Sequence, residues 1–282
     1  MCNVSNLLNL TAQRLSMSLL AGLCCVGATP ASAQDRYVTV DYMKVAPGGD
    51  DGYLQLEQKT WKPVHEARVK AGNAAGWYLY QVLSPSGSGA DHNYVTVALY
   101  NSFEAMENPF PTALLTQVHP GVNMTDFFTK TNAVRDLVRS ETWRWVDQTP
   151  AVPLAKPARF LMVESMRVPA GGDDAYLAVE KLWRKIHEVR IKEGTLSNWG
   201  LLTRVFPGGS DYPYGYATIN GYSRFKDIVG LDLAGLTTRA TLGMSVDELG
   251  DKTVKSRDLA RGELWLLVDY VQAPATTRAP SP

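Results

Sequence analysis

Two strings hold the residues best able to do chemistry: "KTWKPVHEARVKAG" at 59–72 and "KLWRKIHEVRIKEG" at 181–194. Each sets tryptophan, histidine, glutamate and arginine on a stretch patterned as a helix. A histidine titrating near neutrality moves protons, and an arginine beside it stabilises a carboxylate, enolate or phenolate. At about 100° per residue, Trp61, His65 and Arg68 share an arc of about 60°, and Trp183, His187 and Arg190 repeat it. Glu66 and Glu188 point about 100° away, toward the side of the helix. The pair to consider is therefore histidine with arginine.

The His-Glu step looks like the start of the zincin helix His-Glu-x-x-His, but Val69 and Ile191 stand where the second histidine belongs. His92 and His119 occur in the first half only, so no metal site is expected. The sequence has no P-loop, no dinucleotide-binding Gly-rich turn and no Gly-x-Ser-x-Gly. No cofactor is called for, and chemistry at these helices would be acid/base.

Two readings follow. In the first, His65, Arg68, His187 and Arg190 are catalytic. Trp61, Tyr53, Tyr78, Trp183 and Tyr176, with Tyr80 and Tyr94, then line a pocket for a flat small-molecule ligand. In the second, the protein is a non-catalytic binding or interaction protein and the motif is architectural. The histidine then donates to a strand carbonyl, and the arginine pairs with Asp41/Glu164 or Asp147/Asp269.

What positions these helices is an internal repeat. "RYVTVDYMKVAPGGDDGYL" (36–54) aligns with "RFLMVESMRVPAGGDDAYL" (159–177). After a one-residue slip the match continues through Trp61/Trp183 to Trp77/Trp199. It ends at "KTNAVRDLVRSETWRWVD" (130–147) against "KTVKSRDLARGELWLLVD" (252–269). Within the first half, alternation predicts a strand over 36–46 turned by Pro47-Gly48-Gly49. Asp50 and Asp51 should cap a helix over 52–71 that stops at Gly72. Strands follow at 76–84 and 93–101, a mostly helical stretch over 102–139, and a strand at 142–147. Arginines four apart at 135/139 and 257/261 read as a solvated helical face. The Gly-Gly-Asp-Asp turns read as turn plus helix start, since they lack the spaced ligands of a calcium loop.

The order βαββαβ, twice, gives an α+β protein of two tandem ferredoxin-like repeats. Each repeat has a sheet with one bare face, and the two bare faces can close on each other as a pseudo-twofold α+β barrel. This organisation resembles the dimeric α+β-barrel superfamily, which includes antibiotic-biosynthesis-monooxygenase-like, EthD-like and NIPSNAP-like proteins. The resemblance rests on element order and duplication. It implies small-molecule sites between sheet and helices, and it admits haem on His65 or His187, as some members bind haem through one histidine. A barrel closed within one chain leaves a monomer as the expected state.

The boundaries read as a signal peptide at 1–33, repeat 1 at 34–148, a Pro/Ala-rich linker at 149–158, repeat 2 at 159–272 and a disordered tail at 273–282. The apolar run 15–28 is too short for a membrane span, and Ala31-Ser32-Ala33 fits signal peptidase cleavage before Gln34. The protein is thus expected to be exported, periplasmic or secreted. Cys2, Cys24 and Cys25 all lie in the cleaved part, so the mature chain would hold no disulfide. Twenty-eight basic against 28 acidic residues argue against a nucleic-acid partner.

Overall fold

The structure, a computed structural model, describes residues 36–150 and 154–273. Repeat 1 runs β1 (Tyr37–Lys44), α1 (Asp50–Gln55), a π-helical turn (Leu56–Trp61), α2 (Lys62–Lys70), β2 (Gly76–Ser84), β3 (Tyr94–Tyr100), α3 (Thr112–Val118), α4 (Met124–Val134) and β4 (Asp136–Thr149). Repeat 2 runs β5 (Phe160–Arg167), α5 (Asp173–Lys192), β6 (Asn198–Phe206), β7 (Tyr216–Tyr222), α6 (Leu233–Arg239), α7 (Val246–Ser256) and β8 (Asp258–Gln272). The strands close in the order β1-β3-β2-β8-β5-β7-β6-β4. Every strand pairing is antiparallel, and the halves join where β2 meets β8 and β4 meets β6. Each half thus keeps the ferredoxin-like order, and its two edge strands find partners in the other half.

Alternation along the strands separates two environments. In β1, Val38, Val40 and Tyr42 point into the barrel, whereas Met43 belongs to the outer core under the helices. In β2, Tyr78 and Tyr80 face inward while Trp77 and Leu79 face outward. Tyr94, expected to line a pocket, also faces outward and donates to Asp50 at 2.8 Å. Its counterpart Tyr216 donates to Asp173 at the same distance. The Asp50 and Asp173 side chains do not cap their helices, which begin at the aspartates with Gly49 and Gly172 as N-caps. Gly72 and Gly194 end the helices at φ +78° and +71°, a region that only glycine enters cheaply.

The slip between the repeats has a structural expression. Repeat 1 has Gln58-Lys59-Thr60 where repeat 2 has Lys181-Leu182. The extra residue is absorbed in the π-helical turn Leu56–Trp61, whereas α5 runs unbroken. Both helices therefore deliver tryptophan, histidine and arginine to the sheet in the same register.

One expectation fails at the end of each repeat. Helix α4 stops at Val134, and Arg135 is extended at φ −156°, ψ 154°. Arg139 therefore lies on β4, and Arg261 on β8. A spacing of four fits one face of a strand as well as one face of a helix. Strand β4 continues through Thr149, into the expected linker. The signal peptide, the cysteines and residues 274–282 lie outside the described residues.

Candidate functional site

The helix stripe is a buried layer. His65 is 5% exposed and Arg68 0%; His187 and Arg190 are 7% and 4%. His65 stacks on Trp77 at 4.6 Å and 8°, and His187 on Trp199 at 5.5 Å and 21°. Arg68 donates to His65 Nδ1 at 3.0 Å and to the Tyr100 hydroxyl at 2.8 Å. Arg190 donates to the Tyr222 hydroxyl at 3.3 Å. Trp61 and Trp183 donate to Thr131 and Thr253 at 3.2 and 3.0 Å. The expected carboxylate partners are used elsewhere. Asp269 takes Lys62 at 2.7 Å and Asp147 takes Arg184 at 2.8 Å, each bridging the two halves.

Burial and the adjacent arginine push both imidazoles toward neutrality, His65 well below its ordinary range and His187 to about 3. Such a group does not take up a proton near pH 7. Both rings are also packed against neighbours in this arrangement. Trp77 covers the His65 ring and Arg68 holds its Nδ1, while Trp183 and Trp199 are both stacked against His187.

Tyr53 and Tyr176 lie in the same layer, buried beside a second duplicated pair that the sequence reading passed over. Glu57 and Glu180 are pushed up to about 7 by burial, with Arg135 and Arg257 pulling against it.

Tyr78 and Tyr80 alone of the singled-out residues face elsewhere. They line a cavity of about 450 Å³ inside the barrel, on the opposite face of the sheet from the histidines. Tyr42, Tyr80, Trp143, Trp145 and Trp265 supply its aromatic walls, with Val38, Val40, Leu161, Val163 and Ile219 between them. At one end the polar side chains of Arg36, Gln148, Asn198 and Gln272 form a mouth. Leu154, Pro157 and Ala158 cross it, held where Gln272 donates to the Leu154 and Ala155 carbonyls at 3.1 and 2.9 Å.

The other end is closed by a charged plug. Glu141, 0% exposed, accepts from Tyr42 (3.0 Å), Trp143 (3.2 Å), Arg139 (3.2 Å), Tyr214 (2.6 Å) and Tyr212. Glu263 accepts from His92 (3.2 Å), Trp265 (2.7 Å) and Arg261. Asp91 joins the two sides, taking Arg139 at 3.1 Å and Arg261 at 2.8 Å. Burial alone would raise the Glu263 carboxyl, but His92, Trp265 and Arg261 bring it below the usual glutamate value. Burial and Glu141 hold the Tyr42 phenol well above its ordinary value, so it stays a donor.

The plug is a repeated Arg-x-Glu-x-Trp motif, 139/141/143 and 261/263/265. Its period of two was the signal that could have revealed it. The helical reading of the arginines hid it.

No family model matches this sequence, and no curated protein matches it either. Solved structures do. A proposed monooxygenase of Fusobacterium nucleatum aligns with TM-score 0.50 and 10% identity, covering 86% of this chain and 97% of that one. The fold is the dimeric α+β barrel. Here both halves of that barrel belong to one polypeptide. A proposed monooxygenase of Lactobacillus acidophilus aligns with TM-score 0.49 and 9% identity over 85% and 96% of the two chains. A heme-binding protein of Thermus thermophilus aligns with TM-score 0.47 and 11% identity over 83% and 91%. At such identities the likeness is one of fold, and the fold hosts unrelated chemistries.

Proposed function

We propose that this protein binds one flat, largely apolar small molecule inside the barrel. The observation that carries this reading is the cavity of about 450 Å³ walled by tyrosine and tryptophan. Ligand pockets typically span about 300–1,000 Å³, with apolar walls and a few polar groups that set orientation. Rigid indole and phenol rings offer large contact areas and favour stacked or edge-on rings. With one end plugged, entry is through the mouth.

In this reading His65, Arg68, His187 and Arg190 fasten each helix to its sheet. A catalytic role for them, the sequence's other expectation, requires substrate to reach the helix side of the sheet. The signal-peptide pattern in 1–33 adds that the protein works outside the cytoplasm. N-terminal sequencing of the mature protein tests this, with Gln34 expected first.

The binding reading is tested by calorimetric titration of the full chain with naphthalene-2-carboxamide, a neutral two-ring probe. Saturable one-to-one binding is expected, with quenching of tryptophan fluorescence. A titration without saturation contradicts the reading.

A further inference from the structure

The lumen is apolar and its ends are polar, but the two ends differ in how their charges are matched. In the plug, each arginine has carboxylates at hydrogen-bond distance. At the mouth, Arg36 has none among the described residues, and no other charged residue among them lines the cavity. Its guanidinium stands 5.5 Å from the Trp145 ring, above the aromatic wall. Burial depresses its ionisation with no carboxylate acting in return. A half-buried cation that has lost water without gaining a counter-ion attracts an anion from outside.

The repeat sharpens this point. Arg159 occupies the equivalent place in the second half, yet it is exposed and absent from the cavity wall. Leu154, Pro157 and Ala158 take up that side of the mouth instead. The pseudo-twofold axis thus relates the aromatic walls but leaves, among the described residues, one cation at the entrance. A cation so placed above a lumen of one-ligand size defines both a charge and an orientation.

We propose that the ligand is an aromatic carboxylate, seated ring-first in the lumen with its acid group on Arg36. This rests on the lumen reading above and adds the charge. A guanidinium matches a planar carboxylate through two parallel N–H bonds, a geometry an amide or alcohol cannot reproduce.

The test compares naphthalene-2-carboxylate with naphthalene-2-carboxamide by calorimetry on the full chain, in the parent and in Arg36→Gln. The parent should prefer the carboxylate by about tenfold or more. Arg36→Gln should lose that preference while holding the amide within about twofold of the parent. Arg36→Lys, which keeps the charge but not the fork, should retain part of the preference and serves should the glutamine variant fold poorly. Equal affinities in the parent, or a preference that survives Arg36→Gln, would overturn the carboxylate assignment and leave the lumen site standing. A parent that binds neither probe would overturn both.

Discussion

Glu141 accepts five hydrogen bonds where no water reaches, so its charge is held by the protein alone. Removing one partner of a buried charged network leaves the others stranded, at a cost of about 3–5 kcal/mol. Glu141→Ala should therefore lose about that much in urea unfolding, and a loss under about 1 kcal/mol would show the plug to be unimportant. The helix layer behaves differently. His65→Ala leaves Arg68 without its Nδ1 acceptor and should cost about 1–3 kcal/mol while leaving probe binding unchanged. Unchanged stability with lost binding would instead favour the catalytic reading of the stripe. The buried carboxyls predict a pH dependence. Glu180 is raised from 4.5 to about 7, so the fold favours its neutral form. Its stabilising contribution is complete below the unfolded value and is lost as pH rises through about 7. His187 is depressed to about 3, so its contribution is present above 6.5 and is lost as pH falls toward 3. Glu180→Gln should accordingly gain stability relative to the parent between about pH 5 and pH 8. A flat or falling difference across that window contradicts the assignment.

The elements were legible where one periodicity dominated. The order of strands and helices, the barrel and the helix-ending Gly72 and Gly194 all follow from alternation, helical stripes and turn residues. The site was less legible, because its residues lie on the sheet face turned away from the conspicuous helix motif. Tyr78 and Tyr80 could be placed on a strand, but which face became the lumen depended on how two halves close. The Arg-x-Glu-x-Trp plug was missed because arginines four apart satisfy a helix and a strand alike. The π-helical turn makes a sharper element-level prediction. Deleting Lys59, which is exposed, removes the extra residue and should restore a continuous helix like α5, with stability within about 1 kcal/mol of the parent. Deleting Ala178 from α5 should instead rotate Trp183, His187 and Arg190 by about 100° off the sheet and abolish folding. Thermal unfolding followed by circular dichroism distinguishes the two, and equal damage from both would contradict this origin of the turn.

At the scale of the whole molecule, the halves are held by β2 on β8, β4 on β6, and the cross-half pairs Lys62–Asp269 and Arg184–Asp147. Residues 34–148 alone would expose two strand edges and an apolar sheet face, so that fragment should dimerise, as light scattering would show. The same closure makes the lumen, and the central claim is that the lumen is the binding site. Ala217 lies in its wall, buried and small enough that a larger side chain there must project into the cavity. The most direct test is the affinity of Ala217→Phe for naphthalene-2-carboxamide, measured on protein whose near-UV circular dichroism matches the parent. The account predicts binding weakened by about tenfold or more. Parent-like affinity in that folded variant would contradict it.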